Sequence, residues 1–535
     1  MNIAYECLIR HAEDDRLADK VALVFCRLGA PDDVWTFGRA AQAVDRIARS
    51  LTAIGLKKGD RLLVRLDHSP EYALTFFAAL RAGLIAVPGS PQLTAEETAF
   101  IVADSGAAAI VADHTALAGL SDEAESLRAL RHVVVRGGDT PAAFAAAGTH
   151  RFEDMLAGLS ADAPPVTEAG DPAYLIYTSG TTARSKGVLH AHRSLEGRRI
   201  CVREWEHLTD ADRVCHAGVL NWTYTLGVGL MDPWSVGATA ILYDGPRRAE
   251  VWPALLERQA VTVFAAVPTV YRQILKYNHV EDFDWSSLRH GLTAGEPLPA
   301  AVHDEWKRRV GTELYEALGM TEISTYISFK PGFPVTPGAC GRPQTGRPVR
   351  LVKRDGLDDA PIGEVGRIAV HRDDPGLMLG YWNRDAEEKE VFEGDWFIGG
   401  DLARADADGL WWFAGRADDL MTSFGYRVSP VEVESILAAH PDVAECAVTT
   451  VPVRDGSKHI ITGFVHVKEG CAFDTVSLDR YCRKHLAAYK CPRAYRQVDK
   501  IPRTPNGKIL RRALPGASAT PSESAPTLEG GFSSR

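Results

Sequence analysis

Short runs of β-branched and aliphatic residues alternate with helical patterns along the first half of the chain. The strand-like runs are residues 21–26, 62–66, 84–87, 108–112, 132–136, 238–243 and 261–267. Strands spaced by helix-length stretches build α/β layers, so an α/β fold is expected. One helix can be read in detail. Ser69 is placed to cap it, Pro70 suits its first turn, Tyr72, Phe76 and Leu80 form an apolar face, and Gly83 can end it ahead of a parallel strand at Leu84. With 535 residues the chain exceeds what one core can fill, and two or more domains are expected. The texture changes after Gly415, where Arg416-Ala417-Asp418-Asp419 leads into a smaller segment with strands and helices of its own. That places a large domain over 1–416 and a small one over 417–516. In the latter, Ser429-Pro430-Val431-Glu432 reads as a capping box opening a helix through Val433, Ile436 and Leu437. Residues 517–535 are mostly Ser, Pro, Gly and Thr and read as a disordered tail.

Composition narrows the function classes. The apolar fraction of 45% describes a globular protein, and a net charge of −10 argues against nucleic acid as the main partner. No apolar run reaches the roughly 20 residues that span a bilayer. Residues 1–10 lack the basic-then-apolar order of a secretion signal, and a cytoplasmic location is expected. Nine cysteines, from Cys7 to Cys491, include no C-x-x-C pair, which favours buried thiols over a disulfide framework or zinc site.

Chemistry concentrates in a few segments. Tyr177-Thr178-Ser179-Gly180-Thr181-Thr182-Ala183-Arg184-Ser185-Lys186-Gly187 follows a strand-like run, 173–177. Glycines let backbone N–H groups approach a polyphosphate, hydroxyls add donors, and Lys186 neutralises phosphate charge. The order of parts is not that of a Walker loop. Tyr315-Glu316-Ala317-Leu318-Gly319-Met320-Thr321-Glu322 sets an aromatic, a hydroxyl and a carboxylate close together, a set suited to a base, a phosphate and Mg2+. Gly400-Asp401 and Gly415-Arg416 offer a carboxylate and a guanidinium for a ribose. Pro502-Arg503-Thr504-Pro505-Asn506-Gly507-Lys508-Ile509 presents a lysine just after a turn. Alone, each of these reads equally as a turn or a solvated surface.

Together and in this order the segments resemble the adenylate-forming superfamily of acyl-CoA synthetases, peptide-synthetase adenylation domains and firefly luciferase. The resemblance runs from Tyr174 to Leu510 and is nearest to medium-chain and aryl acyl-CoA synthetases. It implies a large domain of α/β sheet layers with a small β-barrel-like subdomain, and a mobile α+β C-terminal domain hinged at Asp418. It implies an acid–thiol ligase using ATP, Mg2+ and coenzyme A, with no membrane span, as a monomer or homodimer. Thr178, Ser179, Gly180, Thr181, Thr182 and Lys186 would hold the β- and γ-phosphates. Thr321 would contact the α-phosphate and Glu322 the metal. Gly295, Glu296, Pro297 and Tyr315 would frame adenine, Asp401 and Arg416 would bind ribose, and Gly425 would line the thiol tunnel. Lys508 would bridge carboxylate and α-phosphate.

The chain departs from the pattern at Ala183, Ser185, Gly399 and Phe424, where Gly, Pro, Thr and Ser or Gly are usual. The stretch from Leu220-Asn221-Trp222 to Ala238 is similar to the acyl-pocket region of medium-chain synthetases, giving Val219, Trp222, Tyr224, Leu318 and Gly319 as pocket residues. Gly319 lies where acetate-specific relatives carry tryptophan, so a medium-chain, branched, alicyclic or aromatic monocarboxylate fits. No basic residue in that stretch suggests a partner for a second carboxylate. A carrier-protein phosphopantetheine is the alternative acceptor, and a non-catalytic adenylate-binding protein the alternative of another class.

Overall fold

The structure, a computed structural model, describes residues 1–158, 164–178, 185–417, 421–423, 426–452, 459–486, 490–503 and 509–516. By internal contacts the chain divides into two units, Met1–Phe413 and Ala414–Arg535. The expected tail, the hinge residue Asp418, and Ser179, Gly180, Thr181, Thr182, Gly425 and Lys508 lie outside the described residues.

The first unit contains two large mixed sheets, not one. In the nine-stranded sheet, Val21–Arg27, Thr239–Asp244, Arg213–His216, Val263–Ala266, His290–Ala294 and Glu313–Met320 run parallel. Asp33–Thr36 closes one side antiparallel, and Ser324–Ser328 followed by Arg342–Pro343 the other. In the eight-stranded sheet, Pro172–Thr178, Ile85–Pro88, Arg61–Arg65, Ala109–Asp113, His132–Arg136 and Gly148–Arg151 run parallel. Lys186–Ala191 and then Gly380–Tyr381 extend it antiparallel. Every strand-like run expected from sequence is a strand, and the runs divide between the two sheets.

Local chemistry explains the helices between them. Ser69 accepts the Tyr72 amide at 3.3 Å, Pro70 opens the Pro70–Arg81 helix, and Gly83 takes a φ of +68° that a side chain would resist. A reciprocal capping box forms at Thr94 and Glu97, at the start of Ala95–Ser105. Trp234, wholly buried, donates its indole N–H to the Ala22 carbonyl at 2.8 Å. Of the nine cysteines, all but the half-buried Cys471 are buried and none is disulfide-bonded.

The third part of this unit is an antiparallel sheet in the order Val349–Val352, Val365–His371, Trp396–Ala405, Phe392–Glu393, with Trp411–Arg416 also pairing with Trp396–Ala405. Its described pairings leave it open.

The second unit is α+β. Val443–Pro452 and His459–Val467 pair antiparallel, Ala494–Gln497 adds parallel to the latter, and Met421–Ser423 with Tyr426–Val428 forms a separate ribbon. Helices Pro430–Ala438 and Thr475–His485 accompany them. Ser429 caps the first, accepting the Glu432 amide at 3.4 Å. The Glu432 carboxylate accepts from Lys490 Nζ at 2.6 Å, so the return half of the expected capping box is replaced by a longer-range ion pair. Among the described residues no helix is long and apolar enough to cross a membrane.

Candidate functional site

Thr178 ends the Pro172–Thr178 strand and stands opposite Lys186, the first residue of Lys186–Ala191. The two chain ends of the hydroxyl- and glycine-rich loop are therefore fixed by a strand pair. A side chain at Gly187 would meet Leu175 at 2.9 Å and Trp382 at 3.2 Å, which explains a glycine directly after the lysine. Lys186 Nζ lies 4.1 Å from the centre of the Tyr381 ring and 3.9 Å from Glu387 Oε2. A cation over an aromatic face is held by the ring quadrupole while its N–H groups stay available.

Tyr381 links this lysine to the acidic turn. Its hydroxyl donates to Glu322 Oε1 at 2.7 Å, and the Met378 amide donates to the Glu322 carbonyl at 2.7 Å. The same short segment is tied to the phosphate-loop strand, because the Trp382 amide donates to the Gly187 carbonyl at 2.8 Å. His190, next along that strand, donates from Nε2 to the Thr321 carbonyl at 2.9 Å. Its ring stacks on Tyr174 at 4.8 Å, and burial pushes it down to about 4, so it is neutral at physiological pH. Lys186, Thr321 and Glu322 are thus brought together by residues that carry no recognisable motif.

The backbone of the acidic turn is tightly specified. Gly319 has no room for a side chain, since a Cβ would come 2.6 Å from the Ser324 carbonyl oxygen and 3.0 Å from Thr325 Cα. Close backbone approach across a bulged strand pair explains this glycine. Ser324 holds a φ of +73°, and its hydroxyl accepts from Arg198 at 2.7 Å. Arg198 Nε in turn donates to Asp232 Oδ1 at 2.6 Å, the guanidinium and carboxylate forming a buried fork. Beside them Glu206 is wholly buried, and burial together with the Asp232 charge pushes its carboxyl well above the usual range. Gly399 abuts Met320, whose Sδ would lie 2.7 Å from a Cβ there. A threonine at 399 would therefore crowd the residue just before Thr321.

Tyr315 lies in the Glu313–Met320 strand. It is 7% exposed, in a cluster with Trp205 and Ala317, edge-on to His290 at 5.5 Å, and its hydroxyl accepts the Gly332 amide at 3.2 Å. Strand alternation puts it on the face of Ala317, opposite that of Leu314, in a strand buried on both faces. Gly295, at φ +90°, and Pro297 are exposed, and Glu296 accepts from the Thr269 hydroxyl at 2.9 Å. A Cβ on Gly295 would lie 3.7 Å from the Trp222 ring, so this loop and the expected acid pocket adjoin. Tyr224 donates to the Leu292 carbonyl at 3.4 Å and stands edge-on to Trp222 at 5.2 Å. Val219 accepts the Trp222 amide at 3.1 Å, while Leu318 is half-buried at the end of its strand. Asp401 is buried in Trp396–Ala405, near enough to Cys340 to help raise its thiol pKa, and Arg416 belongs to the second unit.

Residues 10–382 match the AMP-binding enzyme family, and residues 432–508 match the AMP-binding enzyme C-terminal domain. The benzoate–CoA ligase of Thauera aromatica is 32% identical over 495 residues, covering 90% of this chain and 91% of that protein. The mitochondrial acyl-coenzyme A synthetase ACSM5 of Homo sapiens is also 32% identical over 495 residues, covering 90% and 83%. Among solved structures, the anthranilate CoA ligase AuaEII in complex with anthranoyl-AMP is similar with a TM-score of 0.85 at 30% identity, covering 97% of each chain.

Proposed function

The chain belongs to the AMP-binding enzyme family, and we propose that it is an AMP-forming acid–CoA ligase. In the first half-reaction a carboxylate oxygen attacks the α-phosphorus of ATP and pyrophosphate leaves. In the second the CoA sulfur attacks the acyl carbonyl, the bond to the AMP oxygen breaks, and the thiol proton passes to solvent. The convergence of Lys186 and Glu322 on Tyr381 carries this reading, because it brings a cation and a carboxylate to one tyrosine. Such chemistry needs positioning and charge neutralisation more than covalent help.

Thr178, Ser179, Gly180, Thr181, Thr182 and Lys186 hold the β- and γ-phosphates in this scheme, and Thr321 orients the α-phosphate. Mg2+ is commonly held by one or two carboxylates with phosphate oxygens and water. Glu322, half-buried and steered by Tyr381, fits that donor set. Bound there, the ion would supply charge neutralisation. Adenine lies along Gly295, Glu296 and Pro297, and ribose against Asp401. Val219, Trp222, Tyr224 and Leu318 give an apolar wall suited to an aryl or medium-chain acid. Lys508 serves the first half-reaction and Gly425 the thiol path, with Asp418 as the hinge of the small domain, 417–516. We place the enzyme in the cytoplasm.

Release of AMP and pyrophosphate from Mg–ATP, measured across aliphatic and aromatic acids with and without CoA, tests the reading. Turnover requiring both an acid and CoA supports it, and pyrophosphate exchange without CoA-dependent AMP release would point to a carrier-protein acceptor. Tyr381→Phe is expected to raise the KM for Mg–ATP about tenfold, the ~1.4 kcal/mol of a hydrogen bond to a carboxylate. A wild-type Mg2+ dependence in that variant would remove Tyr381 from the site.

A further inference from the structure

Trp222 and Tyr224 close round a third ring, His216, whose centre lies 6.1 Å from the first and 4.4 Å from the second. His216 ends the Arg213–His216 strand and is 1% exposed. Its Nδ1 accepts the Gly218 amide at 2.9 Å and lies 3.2 Å from the Thr225 hydroxyl. An accepting Nδ1 puts the ring proton on Nε2. That Nε2 is buried and has no partner. His68, reached from the eight-stranded sheet between Arg61–Arg65 and Pro70–Arg81, repeats the arrangement. Its Nδ1 accepts the Leu220 amide at 3.4 Å, and its buried Nε2 also has no partner. Gly218 and Leu220 belong to one short turn leading into Trp222, so both imidazoles are anchored to the segment that carries the aromatic wall.

Both rings are neutral. Burial pushes each down to about 3, and Arg247, in the loop after Thr239–Asp244, adds to the push on both. The cluster therefore offers two imidazole N–H donors with a guanidinium in electrostatic range. Trp222 touches the Gly295 loop on one side and this cluster on the other.

We propose that His216, His68 and Arg247 form a far-end subsite for the acid, selecting a substrate that carries an oxygen acceptor at the end opposite its reacting carboxylate. This deepens the ligase reading and rests on it. A hydrocarbon tail would leave both buried N–H groups unpaired at a cost in free energy, whereas a hydroxyl, carbonyl or carboxylate oxygen satisfies them. A site built to hydrogen-bond a substrate group discriminates strongly against the analogue that lacks it.

The test is ATP–pyrophosphate exchange with the full-length protein on matched acids: benzoate with 3- and 4-hydroxybenzoate and terephthalate, and hexanoate with 6-hydroxyhexanoate and adipate. At least one oxygenated acid is expected to exceed its parent about tenfold or more in kcat/KM. His216→Phe and His68→Leu, each checked for folding by its thermal transition, are expected to lower that ratio about tenfold. If one variant does not fold, the other decides. A dicarboxylate preference lost in Arg247→Met identifies a second carboxylate as the acceptor, and a hydroxy-acid preference that survives it identifies a neutral oxygen. Wild-type preference for both parent acids, or a ratio unchanged in the folded variants, overturns the subsite and leaves the ligase reading standing. Silence on every acid counts against the ligase reading instead, and titration calorimetry of the same acids then decides the subsite by the same ratio of affinities.

Discussion

Lys508→Ala is expected to lower acyl-adenylate formation about 10²–10³-fold or more, the usual loss when one preorganised donor to developing charge is removed. Thioester formation from supplied acyl-adenylate is expected to fall much less, because the charge that the ammonium meets arises when the carboxylate attacks the α-phosphate. Single-turnover measurement of the two half-reactions checks this. Equal losses in both would take Lys508 out of the first step and make it a residue of the fold or of CoA binding. The expectation rests on the chemistry of the step and on the place of Lys508 at the end of the family match.

The largest structural loss is expected at Asp374. Its carboxylate and the Arg347 guanidinium are both wholly buried, 2.7 Å apart, and Arg347 also donates to the Gly197 carbonyl at 2.6 Å and the Thr325 carbonyl at 3.1 Å. Asp374→Ala leaves that guanidinium buried without its counter-charge, at a cost of about 3–5 kcal/mol. Asp232→Ala removes the partner of another buried arginine, Arg198, and is expected to cost less. Glu206 is at hand there, its carboxyl pushed well above the usual range by burial and by Asp232 itself. With Asp232 gone, Glu206 can ionise opposite Arg198. The rescue depends on that carboxylate, so it is present at neutral pH and fades as acid protonates Glu206, narrowing the gap between the variants. Urea midpoints across pH decide the matter, and equal losses at pH 7 would mean that Glu206 does not substitute.

The strands were legible because parallel strands buried on both faces must be apolar through their centres, as 108–112 and Val133-Val134-Val135 are. Their division into two sheets was not, because Val21–Arg27 pairs with Thr239–Asp244 far along the chain, and nothing local announces that partner. Motifs singled out the segment ending at Glu322 and the loop before Lys186, yet not what joins Lys186 to Glu322. Tyr381 and His190 act as single side chains whose meaning comes from contacts made across the fold. Tyr315 shows the converse, an aromatic within a recognisable segment whose packing against Trp205 and Ala317 no local pattern announces. Gly399 stood out as a departure, and only the packing of Met320 against it supplies the reason.

The pairing of Lys186–Ala191 with Gly380–Tyr381 has a further consequence for synthesis of the protein. A ribosome delivers the first of these strands long before the second. Throughout that interval the outer N–H and C=O groups of Lys186–Ala191 form an unprotected sheet edge, the kind of surface that recruits strands from other chains. Closing so long a loop is entropically slow, so the nucleotide site is among the last parts of the large unit to be completed. A chain terminated before residue 376 would keep this edge open permanently, and such fragments are expected to aggregate even though most of both large sheets is already encoded.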